Sequence, residues 1–217
     1  KALIEILDNG HGMNPEDLAL SVRRHATSKL RVLDDLEKIQ TLGFRGEALP
    51  SVAAVSDLSI ISRAKEEAGS STAYELNSNQ SRARPVTFGH FLGSAHGTRI
   101  QARGLFSQIP ARLKFLKSQA AEVGQVREWI ERLALTHPHV GFRLVSNDRT
   151  VLTLRPQNEV DRVRAILSDG EEYPIVTATN ASEVDKYPGI KVRAHWLQGL
   201  STPQTRKLLQ IVNRRAV

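Results

Sequence analysis

The start of the chain alternates like a β-strand and then takes on the spacing of a helix. Residues 1–7 are apolar and β-branched at alternating positions and lead into Asp8-Asn-Gly-His-Gly12, which predicts a strand that ends in a glycine turn. Asn14 before Pro15 is typical of a helix N-terminus, and Leu18 and Val22 follow at helical spacing. We therefore expect a strand, a glycine turn and a helix in succession.

Apolar positions further along predict a second helix and then a meander of strands. We expect a helix at 46–55 that begins from a glycine turn. The strands are expected at 58–63, 72–76, 85–88 and 98–103. Residues 26–46 are mostly polar around one amphipathic piece at 33–42. Long segments of this kind are usually functional or disordered.

The remainder of the chain predicts a mixed set of helices and strands. We expect a basic helix at 110–117 and an amphipathic helix at 123–135 with Val126, Ile130 and Leu133 or Ala134 on one face. A hairpin joining 142–145 to 150–154, a helix at 160–167, and strands near 175–179, 190–197 and 208–212 should follow. The order of elements indicates an α+β protein. We place one domain at residues 1–155 and the start of a second α+β domain at 156–217.

Composition narrows the class of protein. The 217 residues contain no cysteine, which excludes a disulfide scaffold, a thiolate zinc site and a cysteine nucleophile. No apolar run approaches the roughly 20 residues that span a bilayer, so we expect no membrane association. Thirty Lys and Arg against 23 Asp and Glu leave a net charge of +7, which weakly favours polyanionic partners.

The turn Asp8-x-Gly10-x-Gly12 is the first candidate site. A carboxylate there can accept a hydrogen bond from an exocyclic amine such as that of adenine, and the glycines let a flat ring approach the backbone. The alternative is an Asx turn with no ligand, in which the aspartate side chain bonds its own backbone.

Three further segments have polar groups or glycines suited to phosphate. Gly43 and Gly46 precede a predicted helix, whose free N–H groups favour an anion. The segment 25–29 (His-Ala-Thr-Ser-Lys) offers two hydroxyls and an ammonium, and Gly97-Thr98 lies at a strand entry. Each of these alone is more often a solvated loop, and no P-loop motif is present in the sequence.

Taken in order, these motifs resemble the GHKL ATPases and, among them, the MutL mismatch-repair family. The similarity rests on Arg24-His-Ala-Thr-Ser-Lys29, on Gly43-Phe-Arg-Gly-Glu-Ala-Leu49 and on Leu105-Phe-Ser-Gln-Ile-Pro-Ala-Arg-Leu-Lys-Phe-Leu116. The last segment departs from the family's usual Phe-Tyr-Asn-Thr-Pro-Ala-Arg-Arg-Lys-Phe-Leu. The resemblance covers essentially the whole chain and implies a Bergerat-type ATP-binding α/β sandwich, followed by an incomplete second domain with a ribosomal-protein-like βαβ fold.

The resemblance also implies the roles of individual residues. Asp8 would bind adenine, with Gly10, Gly12 and Met13 beside the base and Thr98 supporting that end. The lid over the triphosphate would comprise Thr27, Ser28, Lys29, Gly43, Phe44, Arg45, Gly46, Glu47, Ala48 and Leu49. Asn213-Arg-Arg215 is similar to the family's Asn-Gly-Arg, so Arg215 would line a DNA groove; the alternative is an exposed arginine without a role. Arg214 in place of glycine puts the usual turn in question.

Two catalytic parts of the family are not found in the 217 residues. The Glu-Asn-x-x-Asp-Ala-Gly helix, with the general-base Glu and the Asn that holds Mg²⁺, is expected upstream of Lys1, and a phosphate-binding lysine is expected beyond Val217. The chain therefore contains no predicted catalytic residue and no predicted metal ligand, and we expect it to bind ATP and Mg²⁺ but not to hydrolyse ATP by itself.

For the whole protein the resemblance implies a homodimeric ATPase of the bacterial cytosol, associated with the nucleoid. Its partners would be DNA, a mismatch-recognition protein of the MutS type, and a downstream nuclease or helicase. Two alternatives remain open at this point. One is a basic DNA-binding scaffold that is indifferent to ATP, and the other is an ATPase of another GHKL branch.

Overall fold

The computed structural model describes residues 3–23, 46–87, 89, 93–168, 173–179, 192–199, 209–213 and 215–216. The chain divides into two compact units, 1–116 and 117–217. This division precedes the helix and hairpin that the sequence analysis assigned to the first domain. The domain boundary at residue 155 stays a prediction.

The first unit has the predicted order of elements. They are β1 (Leu3–Asp8), α1 (Pro15–Ser21), α2 (Ala48–Ala53), β2 (Asp57–Arg63), a 3₁₀ turn (Lys65–Glu67), β3 (Thr72–Asn77), β4 (Arg84–Thr87), β5 (Gly97–Arg103) and α3 (Pro110–Leu113). The helix expected to reach residue 117 ends at Leu113, because the backbone beyond it continues in tighter i→i−3 turns at Phe115 and Leu116. The piece expected at 33–42 lies outside the described residues.

The five strands form one antiparallel sheet in the order β1-β5-β2-β3-β4. Because side chains alternate along a strand, its two faces differ. One face buries Leu58, Ile60, Leu76 and Ala102 against Leu18 of α1. The opposite face contains two ion-paired arginines, Arg84 with Glu75 and Arg99 with Glu5, and a smaller apolar cluster around the buried Ala73. The main core of the unit therefore lies on one face of the sheet.

Local sequence explains how the two helices reach the buried face. The Asn14 side chain accepts a hydrogen bond from the Asp17 N–H at 2.8 Å and so caps α1, whose first residue is Pro15. Leu18 is then completely buried. On α2, Leu49 and Val52 pack against the same core. Both helices therefore lie on the apolar face of the sheet.

The edge strand β1 keeps apolar side chains exposed on that same face. Ile4 and Ile6 are paired with Ala102 and Ile100 of β5, so they share the core face, yet they are 44% and 57% exposed. Among the described residues, α1 and α2 do not cover this end of the sheet. An apolar strip is thus left open along β1.

The second unit contains α4 (Gln119–Thr136), β6 (Phe142–Ser146), β7 (Arg149–Leu154), α5 (Glu159–Leu167), β8 (Ile175–Thr179), β9 (Arg193–Leu197), β10 (Ile211–Val212) and β11 (Arg215–Ala216). Within the described residues, its strands pair as three antiparallel two-stranded sheets, β6-β7, β8-β9 and β10-β11. Ala134, Leu154 and Ile166 form its buried core. The apolar face predicted on α4 is buried at Ala134, whereas Val126 is exposed.

A fully buried arginine joins the elements of this core. The guanidinium of Arg162, on α5, donates to the backbone carbonyls of Ala134, Pro138, Val140 and Arg155 and, through Nε, to the side chain of Gln157. Burial lowers the pKa of Arg162 from its ordinary value. None of the described helices is long and apolar enough to cross a membrane.

Candidate functional site

The side chain of Asp8, at the end of β1, forms the Asx turn that was one of the two interpretations of this motif. Its Oδ1 accepts a hydrogen bond from the Gly10 N–H at 2.9 Å. The other carboxylate oxygen, Oδ2, accepts no hydrogen bond from the residues that the structure describes, and Asp8 is exposed. One oxygen therefore shapes the turn while the second remains available.

Two glycines allow the turn to lie directly against neighbouring backbone. Gly12 has a φ of +69°, and a Cβ on it would overlap the carbonyl of Arg63 at the end of β2. Gly97 has a φ of +137°, and a Cβ there would overlap the carbonyl of Asp8. Any side chain at either position would displace the backbone, so both glycines are required for this geometry.

A buried hydroxyl lies beneath the same turn. Ser62 on β2 is fully buried, and its Oγ accepts a hydrogen bond from the Met13 N–H at 2.8 Å. The same oxygen is 3.1 Å from the Gly97 carbonyl and 3.0 Å from the Thr98 Oγ1. Thr98 is in turn directly opposite Asp8 in the sheet register. Ser62 thus connects the turn to the start of β5.

Ser62 was not among the predicted site residues, although its position in the sequence gives a signal. Leu58, Ile60 and Ser62 lie on the same face of β2. A serine that continues an apolar alternation is a polar group in the core and must be hydrogen-bonded there.

Two further contacts hold the loops around the turn. The Arg63 guanidinium, which is nearly completely buried, donates to the carbonyls of Ala95 and Ser70. The His96 Nδ1 lies 2.7 Å from the Gly10 carbonyl. The segment before β5 is therefore fixed against both β2 and the Asp8 turn.

The structure brings together Asp8, Gly10, Gly12, Met13 and Thr98, all assigned by resemblance to the adenine end. Of the residues assigned to the triphosphate end, it describes Gly46, Glu47, Ala48 and Leu49 at the start of α2, with a φ of +62° at Gly46. Met13 and Leu49 pack against the same core cluster. Thr27, Ser28, Lys29, Gly43, Phe44 and Arg45 lie outside the described residues.

The predicted DNA-contacting arginine lies in a hairpin. Arg215 begins β11, which pairs with β10, and Asn213 directly after β10 has a φ of +48°. Asparagine tolerates this conformation. Arg214 lies outside the described residues, so the effect of replacing the family's glycine stays a prediction. The side chain of Arg215 lies outside the described residues, and its contact with DNA stays a prediction. Within the described part of the chain, no group of three or more His, Asp or Glu residues could hold a metal ion.

Comparison with known proteins agrees with the order of the motifs. The DNA mismatch repair protein MutL of Xylella fastidiosa strain M23 is 42% identical over 196 residues, which are 89% of this chain and 29% of that protein. MutL of Neisseria meningitidis serogroup A is 37% identical over 217 residues, 99% of this chain and 31% of that protein. This chain belongs to the MutL family. It spans less than a third of the length of either relative, and no protein-family model matches it.

Solved structures show which region of MutL this chain resembles. The Aquifex aeolicus MutL ATPase domain complexed with ADP is similar with a TM-score of 0.68 and 26% identity, covering 100% of this chain and 71% of that one. The N-terminal domain of a DNA repair protein has a TM-score of 0.73 at 20% identity, covering 100% and 65%, and supports the fold alone. The fold expected from the resemblance, that of the MutL ATPase (GHKL) domain, is confirmed.

Proposed function

We propose that this chain is the nucleotide-binding part of a MutL ATPase and binds ATP at the Asp8 turn. The observation that carries the proposal is the pairing of Asp8 with Thr98 at the end of the sheet, where the Asp8 Oδ2 has no partner among the described residues. A carboxylate oxygen is an acceptor only, so it is complementary to the exocyclic amine of adenine. The similar Aquifex domain is complexed with ADP.

The described residues are suited to binding the base of the nucleotide rather than the Mg²⁺ ion that accompanies its phosphates. Gly12 and Gly97 let the turn pack directly against the backbone of β2 and β1, which holds Asp8 in place at the end of the sheet. Phosphate binding is assigned to Thr27, Ser28, Lys29 and the Gly43–Leu49 backbone by resemblance. Mg²⁺ would be held by the phosphates and by the asparagine expected upstream, since the described residues contain no cluster of metal ligands.

Hydrolysis requires the general-base glutamate, which we place in a helix upstream of Lys1. The exposed strip of Ile4 and Ile6 on the core face of β1 supports this arrangement, because an amphipathic helix packed there would complete the apolar layer that α1 and α2 begin. The 217 residues alone would then bind ATP without hydrolysing it.

The roles of the whole protein are part of the same proposal. ATP binding would order the lid, drive dimerisation of the N-terminal regions and couple a MutS-type mismatch-recognition protein to a nuclease or helicase on DNA. We place this activity in the bacterial cytosol, near the nucleoid. Family membership and the net charge of +7 support these roles.

Asp8→Asn tests the proposal more sharply than removal of the side chain. Asparagine keeps an oxygen for the Gly10 N–H and so keeps the Asx turn, but it replaces the free acceptor with an amide donor that faces the adenine amine. Calorimetric titration of the full-length protein with a non-hydrolysable ATP analogue and Mg²⁺ should show at least about a tenfold loss of affinity, the effect of about 1.4 kcal/mol.

The matched control is Asp57→Asn, which changes an exposed carboxylate at the opposite end of β2 and should leave affinity unchanged. If Asp8→Asn binds the analogue as tightly as wild type, Asp8 does not recognise adenine. If wild type binds no nucleotide but binds DNA in a salt-sensitive manner, the DNA-scaffold alternative replaces the proposal.

A further inference from the structure

The geometry points to Ser62 as a positioning residue that sets the direction of the Thr98 hydroxyl and so favours a 6-amino purine over a 6-oxo purine. This inference rests on the proposed nucleotide binding at the Asp8 turn. It concerns a residue that touches no base itself. Ser62 is fully buried behind Thr98, which is 6% exposed.

The protons and lone pairs around Ser62 determine which group donates in each of its hydrogen bonds. A hydroxyl has one proton to donate and two lone pairs. The Met13 N–H occupies one lone pair of Ser62 Oγ, and the Gly97 carbonyl, as an acceptor, can use only the Ser62 proton. The Thr98 hydroxyl, 3.0 Å away, then completes the set by donating its own proton to the second lone pair. This is the one assignment that makes all three contacts hydrogen bonds.

The consequence is that Thr98 faces the site as an acceptor. With its proton held by Ser62, its Oγ1 has only lone pairs to offer beside Asp8, whose Oδ2 is likewise an acceptor. Asp8 and Thr98 are partners in the sheet register, so both acceptors would meet the edge of a base bound at this end of the sheet. They would attract the amine of adenine and repel the carbonyl oxygen at the same position of hypoxanthine or guanine. Base selection would therefore depend on both side chains, with Ser62 acting through Thr98.

Ser62→Ala removes the lone pair that holds the Thr98 proton. Thr98 can then turn its hydroxyl and donate to a 6-oxo group, while Asp8 accepts from the adjacent ring N–H of that base. Calorimetric affinities of the full-length protein for ADP and for inosine diphosphate, which differ only in this part of the base, measure the effect. We expect the preference for ADP to narrow by about fivefold, the scale of one neutral hydrogen bond.

Three variants separate positioning from structural support. Ser59→Ala, on the opposite face of β2 with its hydroxyl bonded to Glu75, should leave the preference unchanged. Ser62→Cys keeps the shape of the side chain with a much weaker acceptor and should also narrow the preference, which provides a test if Ser62→Ala does not fold. In a Thr98→Val background, Ser62→Ala should no longer change the preference.

The outcomes distinguish this inference from the function on which it rests. If wild type binds neither nucleotide, the proposed function fails and the inference falls with it. If wild type prefers ADP and Ser62→Ala weakens both nucleotides in parallel, ATP binding stands and the inference is overturned, because Ser62 then only supports the fold. If Ser62→Ala narrows the preference for ADP in the wild-type background but not in the Thr98→Val background, the inference is supported.

Discussion

Replacing Arg162 by methionine should lower the free energy of unfolding of the second unit by more than a single substitution in a helix usually does. Methionine keeps a flexible apolar stem of similar reach but removes the guanidinium. That group is completely buried and donates to the carbonyls of Ala134, Pro138 and Arg155 at 3.2, 3.0 and 2.6 Å, as well as to Val140 and Gln157. The backbone that follows α4 and the backbone that follows β7 are therefore both hydrogen-bonded to this one side chain.

The size of the change in the free energy of unfolding follows from the hydrogen bonds that the carbonyls lose. Each hydrogen bond to a charged donor contributes about 1.5–3 kcal/mol, but carbonyls near the surface recover water when the donor is removed. The Ala134 carbonyl, on a residue with no exposed surface, recovers least. Relief of the buried charge offsets part of the loss. We therefore expect Arg162→Met to lower the free energy of unfolding by about 3 kcal/mol, the scale of leaving one or two buried carbonyls without a donor.

Urea unfolding followed by tryptophan fluorescence measures this change in the second unit, because both tryptophans, Trp129 and Trp196, lie there. At about 1–1.5 kcal/mol per M for a unit of this size, the midpoint should fall by about 2–3 M. The matched control is Arg164→Met, two residues along α5, whose ion pair with Asp161 is exposed and should contribute less than about 1 kcal/mol. Equal midpoints for the two variants would refute the reasoning.

Three further predictions concern the first unit and α4. Gly12→Ala places a side chain at a φ of +69° against the backbone of β2 and should lower the free energy of unfolding by about 2–3 kcal/mol in calorimetry, whereas Gly69→Ala, in open space, should change it by less than about 0.5 kcal/mol. Gly124→Ala, within α4 and also in open space, should raise it by about 0.5–1 kcal/mol, and a loss of stability would contradict the contact geometry. The Gln101 side chain holds the pKa of Glu5 below 4.5, so the Glu5 carboxylate stabilises the fold above that pH and loses this effect as the pH falls through its folded-state pKa. The urea midpoint of wild type should accordingly approach that of Glu5→Gln below pH 4.5, and a constant difference between them would contradict the assignment.

The extent to which the sequence predicts the fold depends on how local each signal is. The strands of the first unit and the cap at Asn14 follow from alternation and from hydrogen bonds three residues apart, and they form as expected. The helix expected at 110–117 was too long, because the backbone continues after Leu113 in i→i−3 turns that leave Phe115 86% exposed. The role of Arg162 was not visible, since its acceptors are separated from it by up to 28 residues.

At the candidate site, too, the sequence predicts contacts between near neighbours better than contacts between distant residues. Asp8 and its glycines stand out in the sequence because they are neighbours in the chain, and the structure places them together. Ser62 meets Thr98 because β2 and β5 pair in a register that places the two residues opposite each other, and its hydrogen bond with Met13 spans 49 residues of sequence. A hydroxyl on the buried face of a strand can be found from alternation, but its partners require the sheet order.

The two interpretations of the Asp8 motif turn out to be compatible. A carboxylate has two oxygens, and the Asx turn uses Oδ1 alone. The turn restricts the rotation of the side chain, so the direction of Oδ2 is fixed by the same bond that made the motif resemble an ordinary turn. Gly12 and Gly97 then hold the turn against β2 and β1, and Ser62 holds it from below. An acceptor fixed in this way loses little conformational freedom when it binds an amine, so the turn is the means by which Asp8 would be positioned for recognition.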